Sequence, residues 1–173
     1  MAHVTLLNFP ASALIGDNDA QLVAGDVGAP HASFLGRPVL SFDATAEEAA
    51  LTPSFSMPGQ YAGGTLIATL HLFAASEATN GAVFDVFVEA VTPDTDTLDL
   101  EAASGWDTAN SAIIEFGATT AGDAVDLQIT LANKDSVAAG DLVRLGVRRD
   151  TDSGDDDASG DIFLTALELW EST

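Results

Sequence analysis

The 173-residue chain contains no cysteine, which removes disulfides, thiolate metal sites and cysteine nucleophiles together. Stability must come from packing, from association, or from a hard cation held by oxygen. Lysine is nearly absent too: Lys134 stands beside only four arginines. Phosphate backbones are bound through Lys and Arg, so nucleic acid is not expected as a partner. No apolar run approaches the roughly 18 residues that a membrane-spanning helix needs, and the first residues lack a basic, signal-like head. The expectation is a soluble, untargeted protein with no membrane partner. A Gly-x-Ser-x-Gly turn and a phosphate-cradling glycine loop are missing as well. His3, His31 and His71 show no ligand spacing to one another. No enzyme activity is expected.

What is present is acid. Asp and Glu total 27 against 5 Lys plus Arg, a formal charge of −22, and Asp outnumbers Glu 19 to 8. Self-repulsion at that density opposes a compact state in dilute buffer. Molar salt, with a Debye length of about 3 Å, removes most of the penalty, so the composition points to a high-salt environment. Hydrophobic residues make up 47% of the chain, enough apolar area to offset chain entropy and to exclude wholesale disorder. The length suits one domain.

Residues 1–38 are rich in Ala, Gly and Pro, with short apolar patches at Val4–Phe9 and Ala13–Ile15. They read as an extended arm with one or two strands, docked on its own domain or on a neighbour. Residues 39–173 read as the body. There Val125, Leu127, Ile129 and Leu131 alternate with Asp126, Gln128 and Thr130, and Val143, Leu145 and Val147 alternate with Arg144, Gly146 and Arg148. Phe84, Val86 and Val88 alternate with Asp85, Phe87 and Glu89. This period of two marks half-buried strands. Thr65–Phe73 and Ile162–Trp170 are apolar on both phases, as strands covered on both faces would be. Turn clusters stand between the runs, among them Gly63-Gly64, Thr79-Asn80-Gly81 and Gly140-Asp141. Only Ala44–Leu51 has a helix-like composition. The pattern predicts an all-β fold: an antiparallel β-sandwich, jelly-roll-like, with eight or nine strands.

Several stretches of the body resemble a widespread family of tailed-phage and archaeal tailed-virus virion proteins. They are Phe42-Asp43-Ala44-Thr45-Ala46-Glu47-Glu48 and Met57-Pro58-Gly59-Gln60-Tyr61-Ala62-Gly63-Gly64-Thr65-Leu66. The likeness continues at Gly81-Ala82-Val83-Phe84-Asp85-Val86, where a tryptophan is common in place of Phe84. It closes with Ala138–Val143, Val147-Arg148-Arg149-Asp150, and Asp155 to Asp161 leading into Ile162-Phe163-Leu164. The resemblance covers about residues 39–170. It implies a non-enzymatic β-sandwich at the virion surface. The role expected is capsid decoration (cement): a homo-oligomer, a trimer, that bridges copies of the major capsid protein in a virus of a halophilic host. A turret, fibre or tail appendage for host attachment is the alternative within the virion. A calcium-dependent carbohydrate-binding module is the alternative outside it, because jelly rolls often host such sites; Trp106 and Tyr61 are its candidate exposed aromatics.

Four groups of residues are weighed as sites. Asp150, Asp152 and Asp161 fall at positions 1, 3 and 12 of an EF-hand spacing, the one hint of a Ca2+ cofactor. Position 6 is Asp155 rather than glycine, and no helices flank the loop, so a solvated turn joining two strands is the simpler account. Arg144 and Arg148 project from one strand face with Gly146 leaving room between them. They either pair with local carboxylates or, together with Arg37, anchor an acidic neighbour across a subunit or capsid contact. Asp85 and Glu89 lie about 13 Å apart along a strand, too far for paired acid catalysis, and read as an exposed, salt-facing pair. Gly16-Asp17-Asn18-Asp19 could offer oxygens to a cation, although an Asx-type turn accounts for it.

Overall fold

The structure, a computed structural model, describes residues 3–19, 21–74, 80–101, 104–116 and 121–172. Thr79, the first residue of one expected turn, lies outside them. Among the described residues the strands are β1 (His3–Pro10), β2 (Ile15–Gly16), β3 (Val27–Gly28), β4 (His31–Phe34), β5 (Arg37–Phe42), β6 (Glu48–Leu51) and β7 (Phe55–Ser56). They continue with β8 (Thr65–Ala74), β9 (Gly81–Val91), β10 (Asn110–Glu115), β11 (Val125–Thr130), β12 (Leu142–Arg149) and β13 (Ile162–Ser172). The first sheet runs β11-β8-β13-β5-β4, with β1 also paired to β13. The second runs β10-β9-β12-β6-β2, with β7 on β12 and β3 on β6. Every pairing is antiparallel except β3 with β6. The chain is an all-β sandwich, as the period of two predicted.

One core lies between the sheets. From the first sheet come Leu66, Ala68, Leu70 and Leu72 of β8 and Leu164, Leu167 and Leu169 of β13. From the second come Phe84, Val86 and Val88 of β9 and Val143, Leu145 and Val147 of β12. Each such side chain contributes about 1.5–3 kcal/mol by leaving water. A bulge between Leu164 and Ala166 shifts the phase of β13. The apolar look of Ile162–Trp170 on both phases therefore has two causes. Phe163 packs outward against Phe73 and Phe34, while beyond the bulge Glu168 and Trp170 point outward, half-buried. The Trp170 ring lies 4.1 Å from that of His3 and its N–H reaches Thr69 Oγ1 at 2.9 Å.

Residues 3–34 supply strands to both sheets, and Leu6, Ala11, Leu14 and Ala29 enter the common core. The helix expected within Ala44–Leu51 does not form. Asp43 Oδ1 accepts bonds from the Thr45 and Ala46 N–H groups and makes a turn there. Glu48–Leu51 then runs as a fully buried strand against β12, where small alanines fit a closely covered sheet and tertiary packing overrides helix propensity. Tyr61 is not an exposed aromatic either. It is 5% exposed and sits in the core, its hydroxyl accepting a 2.7 Å bond from Lys134 Nζ.

The acid is not all outside. Asp17, Asp26, Glu48, Asp85, Glu89, Asp141 and Glu171 are buried. In a chain with so few cations, backbone N–H groups serve as donors to Asp17, Glu48, Glu89, Asp141 and Glu171. Glu171 takes the Ala62 and Gly64 amides. Gly64 must be glycine, because a Cβ there would stand 2.6 Å from Glu171 Oε1 and 3.0 Å from the Ser172 carbonyl.

Candidate functional site

On β12 the alternation sends Val143, Leu145 and Val147 inward and Arg144, Gly146 and Arg148 outward, onto the outer face of the second sheet. Asp85 and Glu89 share that face, since Arg144 pairs in register with Glu89 and Arg148 with Asp85. Both carboxylates are only 2% exposed, so the expected salt-facing pair is in fact covered. Two segments cover it. Residues 17–19 and 21–26 lie over β12, with the Leu22 side chain filling the space above Gly146, where an added Cβ would collide with Leu22 Cδ2 and Cδ1. The group for which Gly146 leaves room thus belongs to the chain itself. From the other side residues 104–107 bring the Trp106 ring over the Arg144 guanidinium at 4.9 Å.

Beneath this cover, local pairing accounts for Arg144 and Arg148. Arg148 donates to Asp85 Oδ2 at 2.6 Å and to Glu47 Oε2 at 2.8 Å, with Asp150 Oδ2 at 3.4 Å and Asp26 Oδ1 at 3.9 Å. Burial works against the Arg148 charge, but the bond to Asp85 and the surrounding carboxylates outweigh it and hold its pKa above the ordinary value. The opposite balance holds at Asp26. Burial first, then the nearby Glu47, Asp17 and Asp150, push its pKa up to about 6 despite Arg148. Burial also raises Asp150, again against the pull of Arg148. Neither Asp17 Oδ1 nor Asp26 Oδ2 has a hydrogen-bond partner among the described residues.

Arg144 differs. Its Nε donates to Glu89 Oε2 at 2.6 Å, its Nη1 to Gln21 Oε1 at 3.3 Å, and Glu89 Oε1 is fixed in turn by the Gly105 amide at 2.7 Å. Among the described residues the protein thus uses two of the five guanidinium N–H donors. The side chain borders two hollows. One of about 320 Å3 is lined by Asp17, Asn18, Asp19, Gln21, Thr52 and Ser54 among others. A smaller one of about 110 Å3 is lined by Ser54, Glu89, Val91, Leu100 and Leu142. The two hollows share Ser54 and Arg144 and mix polar with apolar lining, and the guanidinium they share is fixed by Glu89 and covered by the Trp106 ring. Such a groove can bind an uncharged ligand rich in hydroxyls by hydrogen bonding.

The other predicted residues lie elsewhere. Asp150, Asp152 and Asp161 are not brought together. Asp150 turns to Arg148, Asp152 is exposed while Glu47 Oε1 accepts its backbone N–H, and Asp161 is half-buried further along. No group of three or more His, Asp or Glu suited to a metal occurs among the described residues. The acidic connection is organised by a residue that the sequence reading passed over, Arg149. It is completely buried and donates all five N–H bonds. Two go to the Asp156 carboxylate at 2.8 and 3.0 Å, and three to the carbonyls of Asp43, Ala158 and Gly160. Asp156 and Asp157 also accept the Val83 and Gly81 amides and tie the connection to β9. A signal was available: Arg149 continues the inward phase of Val143, Leu145 and Val147. Arg37 lies on the other sheet, exposed at the start of β5.

No protein-family model matches the chain, and no curated protein matches it. Among solved structures it is similar to a xylan-binding module, CBM15, with a TM-score of 0.53 at 13% identity, covering 99% of this chain and 97% of that one. It is also similar to the CBM22-1 xylan-binding domain from Paenibacillus barcinonensis Xyn10C, with a TM-score of 0.49 at 13% identity and coverage of 99% and 97%. The C-terminal CBM6 of LamC from Zobellia galactanivorans gives a TM-score of 0.49 at 11% identity, with coverage of 94% and 97%. At 13% identity the first likeness shows the fold, a jelly-roll-type β-sandwich, and nothing finer.

Proposed function

We propose that the chain is a non-catalytic binding domain whose groove at Arg144 holds a glycan. The observation that carries this reading is Arg144 itself: locked by Glu89, backed by Trp106, lining both hollows, and left with donors that no described residue takes. A planar, immobilised guanidinium presents paired N–H groups to neighbouring hydroxyls at little entropic cost, and carboxamide and carboxylate groups around it supply acceptors. The shared fold of a xylan-binding module supports the reading without specifying the sugar. Binding of the purified domain to a glycan array, with xylan included, tests it. Specific retention that Arg144→Lys abolishes is expected, and silence across the array overturns the proposal.

A second reading is favoured by a separate observation, the resemblance to tailed-virus virion proteins. Its motifs coincide with the frame of this sandwich: the Asp43 turn, the glycines against Glu171, and the Arg149–Asp156 lock. In this reading the domain sits on the virion surface, either as cement between copies of the major capsid protein or as an appendage. An attachment appendage would use the glycan groove directly. Mass spectrometry of purified particles tests it. Hundreds of copies indicate cement and tens an appendage, whereas absence from the particle removes the virion role.

A further inference from the structure

We infer that the β4–β5 hairpin is a self-docking knob, with Leu35 of one copy seated in the aromatic hollow beside the same hairpin of a second copy. β4 and β5 are joined by Leu35-Gly36, both with positive φ, 51° and 81°. Two-residue hairpin turns of this kind favour Asn-Gly, because a leucine side chain crowds its own backbone in the left-handed region. Leu35 is also 97% exposed. A strained, fully solvated leucine is disfavoured twice over in the isolated domain, by backbone and by water, and docking relieves the second penalty.

The receptor for the knob lies next to it. Phe34, Phe73 and Phe163 pack with ring centroids 4.5–5.6 Å apart. Phe34 and Phe73 line a hollow of about 650 Å3 together with Leu35 itself, Arg37, Gly122, Ala124 and Thr165, so in a two-fold contact each knob enters beside its counterpart. β4 is the last strand of its sheet among the described residues, so its outer edge is available as well. Unguarded, apolar sheet edges are points of association.

The charges select the occupant. Three of the chain's five cationic side chains, Arg144, Arg148 and Arg149, are in ion pairs, and Lys134 is bound to Tyr61 and the Gly64 carbonyl. Arg37 has no hydrogen bond or ion pair among the described residues. The same outer face carries Asp126, two residues beyond Ala124, with its Oδ1 bonded to His71 Nδ1 at 2.7 Å and its side chain still 60% exposed. Knob and hollow, cation and anion thus occur on one surface. That is what a two-fold contact between identical chains requires, residue for residue. The overall charge of −22 opposes the pairing in dilute buffer, and salt relieves that repulsion.

Sedimentation of the full chain at about 100 µM in about 1 M NaCl tests the inference. The wild type is expected to run as a dimer. Leu35→Asn should weaken association tenfold or more, about the effect of losing a central anchor, while raising the melting temperature of the monomer because asparagine suits the turn. Arg37→Glu should dissociate the pair, and adding Asp126→Arg should restore it. A wild type that stays monomeric, or a Leu35→Asn variant that pairs as well as the wild type, overturns the inference. Glycan binding on the opposite sheet should be unchanged in Leu35→Asn, so this result and that of the glycan proposal can be told apart.

Discussion

Arg144 and Arg149 stand on the same strand, each paired with a buried carboxylate, yet they do opposite work. Arg149 lies on the inward phase at the end of the sandwich, and all five of its donors are taken by Asp156 and three carbonyls. Arg144 lies on the outward phase, gives two donors to Glu89 and Gln21, and lines two hollows with no described partner for the rest. The number of donors a protein satisfies internally separates an arginine that holds the fold from one that is prepared for a ligand. A buried guanidinium with nothing left over cannot bind anything else.

The largest expected effect is at the sealed arginine. Arg149→Leu should cost about 3–5 kcal/mol, because it strands the Asp156 charge and three carbonyls in a dry site; urea melts measure it. Arg144→Leu should cost less, about 1–2 kcal/mol, since Glu89 keeps the Gly105 amide and borders a hollow that water can enter. Equal losses at the two positions would erase the distinction. Lysine sharpens the contrast further. Arg149→Lys loses the fork and should still cost about 2–3 kcal/mol, whereas Arg144→Lys should leave the urea midpoint nearly unchanged and remove only ligand binding.

The covered face also predicts a pH effect. The native Asp26 carboxyl, with a pKa of about 6 against an ordinary 3.8, binds a proton more tightly than the unfolded chain does. Stability from this group is therefore fullest below about pH 4, falls as pH rises towards 6, and is level above that. Asp26→Asn, neutral throughout, should be the more stable protein at pH 8, and the gap should close by pH 4. Paired urea melts at the two values check it, and a gap that widens on acidification contradicts the assignment. A comparable effect is expected from Gly146→Ala. The new methyl collides with the Leu22 side chain, Cγ included, costing about 1–3 kcal/mol. The shift moves Leu22 and its neighbour Gln21, so ligand affinity should fall a few-fold along with the urea midpoint.

Much of the frame was legible. Alternation at Val125–Leu131 and Val143–Val147 identified β11 and β12 and the face each buries, because a strand has only two sides. What alternation does not report is what lies above the outer side. Asp85 and Glu89 read as solvated because polar residues on a strand's second face usually meet water, and here residues 21–26 and 104–107 meet them instead. Those covering segments have no periodicity, and their placement depends on contacts distant in sequence, such as Leu22 on Gly146. Arg144 was visible as a scarce cation beside a glycine, and its groove was not. Arg149 was readable from its phase, but its charge obscured the inward position. Ala49 and Ala50 misled in the other direction, since alanine suits both a helix and a tightly covered strand.

The central claim is that the unused donors of Arg144 serve a hydroxyl-rich ligand. Titration calorimetry of the wild type and Arg144→Lys against a panel of soluble glycans, xylan among them, tests it most directly. The account predicts saturable binding of at least one glycan by the wild type and its loss in the lysine variant, with matching urea melts. Equal binding by both proteins, or none by the wild type, would contradict it.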